Sequence, residues 1–296
     1  MHPLDTLELV AHKEEVQNFL DAYNQERLHH AWLFTGNKGI GKAALVYKLA
    51  LFLLSNPQNP QTIEIENPSL KTKIKNGSHP DILILSSEDE EGEIEEMNVE
   101  RVRKINEFLR LTSIESKYRV VIIDAIDEMN QNAANAFLKI LEEPPSNVVF
   151  LLTCHSIGKI LPTIRSRCRI VKMKNLSEDD FFSVMRMSGV ADSFLISDLF
   201  ELSDGSLNAA LMLYEGENLN IYNSIKKLLN NKARTQSEIM ELAKLAGDKK
   251  NWKIVKYALS RELYNLTKNS GTKELVLDHI QRVQKFIADS EKFHLE

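Results

Sequence analysis

The spacing of apolar positions changes along this chain, and each change marks an element. Ala31–Thr35 (AWLFT) is a continuous apolar run that stops at a glycine, as expected of a strand covered on both faces. From Lys42 to Leu54 the apolar residues take helical spacing, until Asn56-Pro57 and Pro60 end it. Residues 57–80 are polar, contain prolines and lack a strong period, which predicts mostly loop. Asp81–Leu85 (DILIL), Arg119–Asp124 (RVVIID), Val148–Thr153 (VVFLLT) and Arg169–Met173 read as four further strands. Between them, Asn98 is placed to cap a helix with Val99, Val102, Ile105, Phe108 and Leu109 on one face. An alanine-rich helix over Asn130–Glu142 is closed by Glu143-Pro144-Pro145.

Strands that alternate with helices predict right-handed crossovers and a parallel sheet with helices on both faces. Beyond Asn175 the strand patterns fade. Ser177 followed by Glu178-Asp179-Asp180 reads as a helix start, and the rest of the chain reads as helices. The expected domains are therefore 1–175, an α/β domain; 176–216, a small helical domain; and 217–296, a second helical domain.

Charge and cysteine content narrow the class. The chain has 296 residues and a formal net charge of -5. The acidity is local, because residues 88–96 (EDEEGEIEE) carry seven acids and no base. Without that run the remainder is mildly basic, so net charge neither favours nor excludes a nucleic-acid partner. The run itself reads as an exposed, solvated loop. Two cysteines, Cys154 and Cys168, cannot build a four-cysteine zinc site and suggest a reducing compartment. The N-terminus lacks the apolar core of a signal peptide, and AALVYKLALFLL is interrupted by Lys48 and too short to span a bilayer. A soluble, cytoplasmic protein is expected.

The chemistry starts at Gly36-Asn37-Lys38-Gly39-Ile40-Gly41-Lys42-Ala43, which fits G-x-x-x-x-G-K between a predicted strand and a predicted helix. Gly36, Gly39 and Gly41 would let backbone N–H groups curl towards phosphate oxygens, and Lys42 would bring a point charge. The next residue should carry a hydroxyl for magnesium and is Ala43. Asp124 ends the third strand, where a carboxylate would orient that metal. The residue after it, where a water-polarising glutamate would stand in an ATPase of this layout, is Ala125. Asp127 and Glu128 read as acids favouring a helix N-terminus. The loss of both a metal ligand and a base removes most of what phosphoryl-transfer catalysis needs.

These segments resemble the bacterial DNA polymerase III clamp-loader subunits, of the AAA+ class, and within them the delta-prime type. The resemblance rests on His30–Lys42 (HAWLFTGNKGIGK), His79-Pro80-Asp81, Lys117–Asn130 (KYRVVIIDAIDEMN), Asn132–Pro145 (NAANAFLKILEEPP) and Lys159–Cys168 (KILPTIRSRC), which span most of residues 1–175. It implies an AAA+ P-loop domain, a helical lid and a helical collar. It also implies that Ser166-Arg167-Cys168 carries an arginine acting in trans at a neighbouring subunit's ATP site, with Arg165 and Arg169 as nearby competitors. Cys168 reads as a packing residue rather than a reactive thiol. The resemblance places His155 at the sensor position of the fourth strand. The second-domain sensor arginine is missing from Gly205-Ser206-Leu207-Asn208-Ala209-Ala210-Leu211, and so are the cysteines of the zinc module found in many members. The family's collar continues past a helix like Arg282–His294, so a short or truncated collar is expected here.

The implied role is that of a stator in a hetero-pentamer with gamma/tau ATPase subunits and a delta subunit, meeting the sliding clamp indirectly. No cofactor would be required, ATP or ADP could occupy the loop, and no zinc is expected. Such a chain is a component of a DNA-directed DNA polymerase complex rather than an ATPase alone. Primer–template DNA would be met through its phosphates, with Arg101, Arg103 and Lys104 as candidate contacts or, equally, as an exposed basic helix face. The alternatives are a gamma/tau-like motor, a stand-alone P-loop nucleotide kinase and a structural scaffold without a trans arginine.

Overall fold

A computed structural model describes residues 12–58, 60–86, 97–230 and 248–269, together with Leu4, Met240 and Lys244. The acidic run 88–96 and the helix expected at 282–294 lie outside the described residues. By internal contacts the chain forms two compact units, Met1–Asn208 and Ala209–Glu296. The boundary expected near 175 thus falls inside the first unit.

The first unit is built on five parallel strands, β1 (Ala31–Thr35), β2 (Ile82–Leu85), β3 (Arg119–Ile123), β4 (Val148–Cys154) and β5 (Arg169–Lys172), in the order β2-β3-β4-β1-β5. Ala31 stands opposite Phe150, and Trp32 opposite both Leu151 and Arg169. Alternate side chains feed two cores. Trp32, Phe34, Val120, Ile122, Val149 and Leu151 pack on one face, against α1 (Lys13–Asn24), α2 (Lys42–Leu54) and α3 (Pro68–Lys75). Leu33, Val121, Ile123, Phe150 and Leu152 pack on the other, against α4 (Val99–Leu109) and α5 (Gln131–Glu142). Two-sided burial explains why β1, β3 and β4 are buried throughout and, apart from Thr35, Arg119 and Thr153, apolar rather than alternating. β5 is an edge strand, and its Arg169 and Lys172 stay exposed.

Caps set the helix starts. Asn98 Oδ1 accepts from the Arg101 N–H at 3.1 Å, and Asn130 Oδ1 from the Ala133 N–H at 2.9 Å. The loop expected over 57–80 is interrupted by α3. Asn67 caps it, Pro68 occupies its first turn, and Leu70 and Ile74, one turn apart, are buried. That signal is two apolar residues long, too short to stand out among the surrounding polar residues.

Helices α6 to α8 flank β5. The single-turn α6 (Pro162–Arg165) precedes the strand, while α7 (Glu178–Met187) and α8 (Ser193–Ser203) follow it and pack through Phe181 on Phe200, with ring centres 5.0 Å apart. Helix α9 (Leu207–Tyr214) runs through the division between the units. In the second unit, α10 (Asn218–Asn230) packs on α11 (Trp252–Asn269), where buried Tyr222 donates its hydroxyl to buried Glu262. No described helix is long and apolar enough to cross a membrane.

Candidate functional site

The glycine loop lies where the sequence puts it, between the carboxyl end of β1 and the first residue of α2. Gly39 (φ +83°) and Gly41 (φ +94°) hold left-handed backbone that side chains resist. A Cβ on Gly36 would stand 2.6 Å from the Met173 carbonyl oxygen, so this glycine allows close approach of β5's end. Lys42 is buried, and its ammonium donates to the Gly36 carbonyl at 2.8 Å and to the Asn37 carbonyl at 2.6 Å. Burial pulls its pKa down to about 8, although Asp124 opposes the shift.

The next three carbonyls of the loop are also engaged from within the chain. Ser206 Oγ donates to Lys38 O at 3.1 Å, the Leu207 N–H donates to Gly39 O at 3.1 Å, and His12 Nε2 lies 2.8 Å from Ile40 O. Five consecutive carbonyls, from Gly36 to Ile40, are thus held by Lys42, the 206–207 turn and His12. The contact is tight, because a Cβ on Gly39 would sit 2.1 Å from Ser206 Oγ and 3.1 Å from Asn208 Cβ. His12 and Ser206 carry no chemical motif, and the Ser206 contact joins residues 168 positions apart.

Asp124 follows β3 and accepts a hydrogen bond from Thr153 Oγ1. The same hydroxyl oxygen accepts from the Ala125 N–H at 2.8 Å. Ala125 sits in left-handed backbone at φ +56°. Asp127 and Glu128 stand in the first turn of a helix, as the sequence reading expected, but Asp127 does more than that. It lies in a single 3-10 turn, Ile126–Glu128, and crosses to the end of β4. Its two oxygens accept from the backbone N–H groups of His155 at 3.0 Å and Ser156 at 2.9 Å. Burial pushes its pKa up, but hydrogen bonds from the His155 side chain and from both backbone donors outweigh this, leaving the carboxyl well below the usual range. His155 stands just past β4, its Nδ1 3.8 Å from Asp127, so the end of β4 is tied to the turn after β3.

Arg167 is at the other edge of the sheet, two residues before β5. Its guanidinium donates to Thr163 O and to Glu142 Oε1, both at 3.0 Å, and its side chain is 35% exposed. Of its competitors, Arg169 lies over the Trp32 ring at 4.5 Å, and Arg165 has its Nε buried. Burial pushes the thiol of Cys168 up to about 12 and that of Cys154 to about 11, so neither is a thiolate near neutral pH.

A family model described as "DNA polymerase III, delta subunit" matches residues 11–177, more than half the chain. The chain belongs to this DNA polymerase III clamp-loader family. It is 27% identical over 237 residues to the DNA polymerase III subunit gamma of Buchnera aphidicola subsp. Schizaphis graminum, covering 76% of this chain and 63% of that one. It is 30% identical over 207 residues to the subunit delta' of Escherichia coli K12, covering 70% of this chain and 60% of that one. The chain therefore spans about three fifths of the length of each of these two curated relatives. A gamma subunit-related protein from Thermotoga maritima superposes with a TM-score of 0.43 at 24% identity, covering 88% of this chain and 77% of that chain.

Within this clamp-loader family, the loop of the present chain keeps glycine geometry and a cation that suit a phosphate chain. The metal side fits poorly, because position 43 offers no oxygen and Asp124 is engaged by Thr153. Among the described residues no group of three or more His, Cys, Asp or Glu is placed to hold a metal ion. On α4, Arg103 and Lys104 are exposed, whereas Arg101 turns inward and donates to Ser86 O.

The sequence reading missed a polar network at the amino ends of β2 and β3. Buried Asp81 accepts from the N–H groups of Ile114 (2.8 Å), Glu115 (2.7 Å) and Ser116 (2.8 Å). Buried Arg119 donates to Leu111 O and stacks on Phe108, its guanidinium 3.8 Å from the ring centre. His79-Pro80-Asp81 was quoted for resemblance alone; its visible signal was an acid directly before an apolar strand.

Proposed function

We propose that this chain is a delta-prime-like clamp-loader subunit that hydrolyses little or no ATP and lends Arg167 to an ATP site on a neighbouring gamma/tau-type subunit. The observation that carries this reading is a contrast. The chain's own phosphate loop has its lysine turned onto loop carbonyls and lacks an oxygen at position 43, while Arg167 lies at the opposite edge of the sheet, partly exposed. An arginine supplied in trans would stabilise charge on a phosphate held by the neighbour. It needs no nucleotide on its own chain, only a fixed backbone beneath it, which α6 and β5 supply. In this reading the chain works in the cytoplasm beside a delta subunit and meets primed DNA through phosphate contacts, with Arg103 and Lys104 better placed than Arg101.

The second reading, a gamma/tau-like motor, is favoured by the match to the Buchnera gamma subunit, which covers more of this chain than the match to the E. coli delta' subunit.

ATP turnover separates the two. The chain would be measured alone, then mixed with its gamma/tau and delta partners, clamp and primed DNA, with wild type against Arg167→Ala. The expected result is no turnover alone, and in the mixture a fall of about 10³-fold at the site that Arg167 completes. Turnover well above background by the chain alone would establish the motor. A complete mixture indifferent to Arg167→Ala would leave the chain a scaffold.

A further inference from the structure

We infer that Glu142 is a positioning residue for Arg167, holding its guanidinium in a fixed direction for the neighbour's ATP site; this rests on the trans-arginine reading above. Arginine has several rotatable bonds, and an unanchored one near the surface would sample many directions. Here it is held from two elements at once. Nη2 donates to Glu142 Oε1 and Nη1 to Thr163 O, each at 3.0 Å.

Both acceptors stand on backbone that is itself fixed. Glu142 is the last residue of α5, which Asn130 caps at its start and which Phe137, Ile140 and Leu141 bury. Pro144 and Pro145 end that helix two residues later. Thr163 lies in the single turn α6, which Pro162 opens and buried Ile164 pins.

The anchoring leaves Arg167 able to act. A guanidinium carries five N–H donors in one plane. Two are used here, so Nε–H and one N–H on each terminal nitrogen remain to meet phosphate oxygens. At 35% and 45% exposure, the Arg167 and Glu142 side chains reach solvent and therefore an adjoining subunit. Arg165 and Arg169 have no such arrangement, since one turns its Nε inward and the other lies on Trp32. The glutamate thus anchors Arg167, the arginine that the proposed function assigns to the neighbour's site. Because the ion pair is exposed, it adds little to stability, and its worth lies in orientation.

The test uses the full chain assembled with its gamma/tau and delta partners, clamp and primed DNA, reading kcat and KM for ATP separately. The variants are Glu142→Ala, Glu142→Gln, Arg167→Ala and the double Glu142→Ala/Arg167→Ala. Glu142→Ala should lower kcat about fivefold with KM within about twofold of wild type. Glu142→Gln keeps the acceptor oxygen and should retain more than half of the wild-type kcat. The double variant should match Arg167→Ala alone, and thermal melting of the free chain should not change. Glu142→Ala equal to or faster than wild type, with Arg167→Ala slow, would overturn the positioning role and leave the trans arginine standing. An additive double variant would overturn it too, since Glu142 would then act elsewhere. An Arg167→Ala complex as active as wild type would remove the underlying reading and this inference together.

Discussion

Asp127, beyond the carboxyl end of β3, and Asp81, just before the amino end of β2, are both carboxylates clamped by backbone N–H groups. Asp127 takes two such donors and Asp81 three. Each ties a loop to the sheet. The edges they serve then differ. At the carboxyl edge, five loop carbonyls and a cation are engaged within the chain, and Asp124 takes a hydroxyl proton from Thr153. At the amino edge Asp81 is fully engaged while Arg119 keeps a buried Nε without a partner, and before β5 the Arg167 guanidinium stays partly exposed with donors to spare. The same fold can thus bind up its own reactive loop and still present one charged group outward. What differs is where polar groups find partners.

The comparison can be broken by one substitution made at both edges. Asp81→Asn puts an amide NH₂ against at least one of three backbone donors, and should destabilise the first unit by about 3 kcal/mol in urea unfolding. A cost below about 1 kcal/mol would show that the amino-edge network is not what holds the 114–116 segment.

Gly39→Ala probes the closed loop. It places a side chain in left-handed backbone and against Ser206, and should cost about 2–3 kcal/mol. Gly77→Ala is also at positive φ but has open space around it, so it should cost about 1 kcal/mol. Equal melting shifts for the two variants would mean that the 206–207 turn is not seated on the loop as described.

Asp127→Asn should cost about 2 kcal/mol at neutral pH. The folded carboxyl has a pKa below its unfolded value, so its stabilisation is complete above about pH 4 and is lost as pH falls below that. The wild type should therefore lose stability more steeply than the variant between about pH 4 and pH 2 in acid titration of unfolding. Parallel acid limbs would show that the carboxylate is not clamped by His155 and Ser156.

Much of this was legible beforehand, for physical reasons. β1, β3 and β4 are largely apolar because both faces are covered, and α2 begins at the lysine that ends the glycine signature. Asn98, Asn130 and Ser177 act on donors within three residues, so their caps can be read locally. Helix α3 was missed because only Leu70 and Ile74 announce its buried face. The second task of Asp127 was not legible because its partners lie 28 and 29 residues away, at another strand's end.

Arg167 was singled out only through the family resemblance; by itself the sequence determined the alternating strands and helices, the glycine loop with Lys42, and the missing oxygens at Ala43 and Ala125. Those are properties of residue type and short spacing, set by backbone geometry and side-chain chemistry. Only the tertiary structure decided that Lys42, His12 and the 206–207 turn close the loop, that Asp127 binds the end of β4, and that Glu142 rather than solvent receives Arg167. Each of these is a directional hydrogen bond between groups that are distant in sequence. Its existence depends on how strands and helices are stacked, and no local pattern encodes that distance.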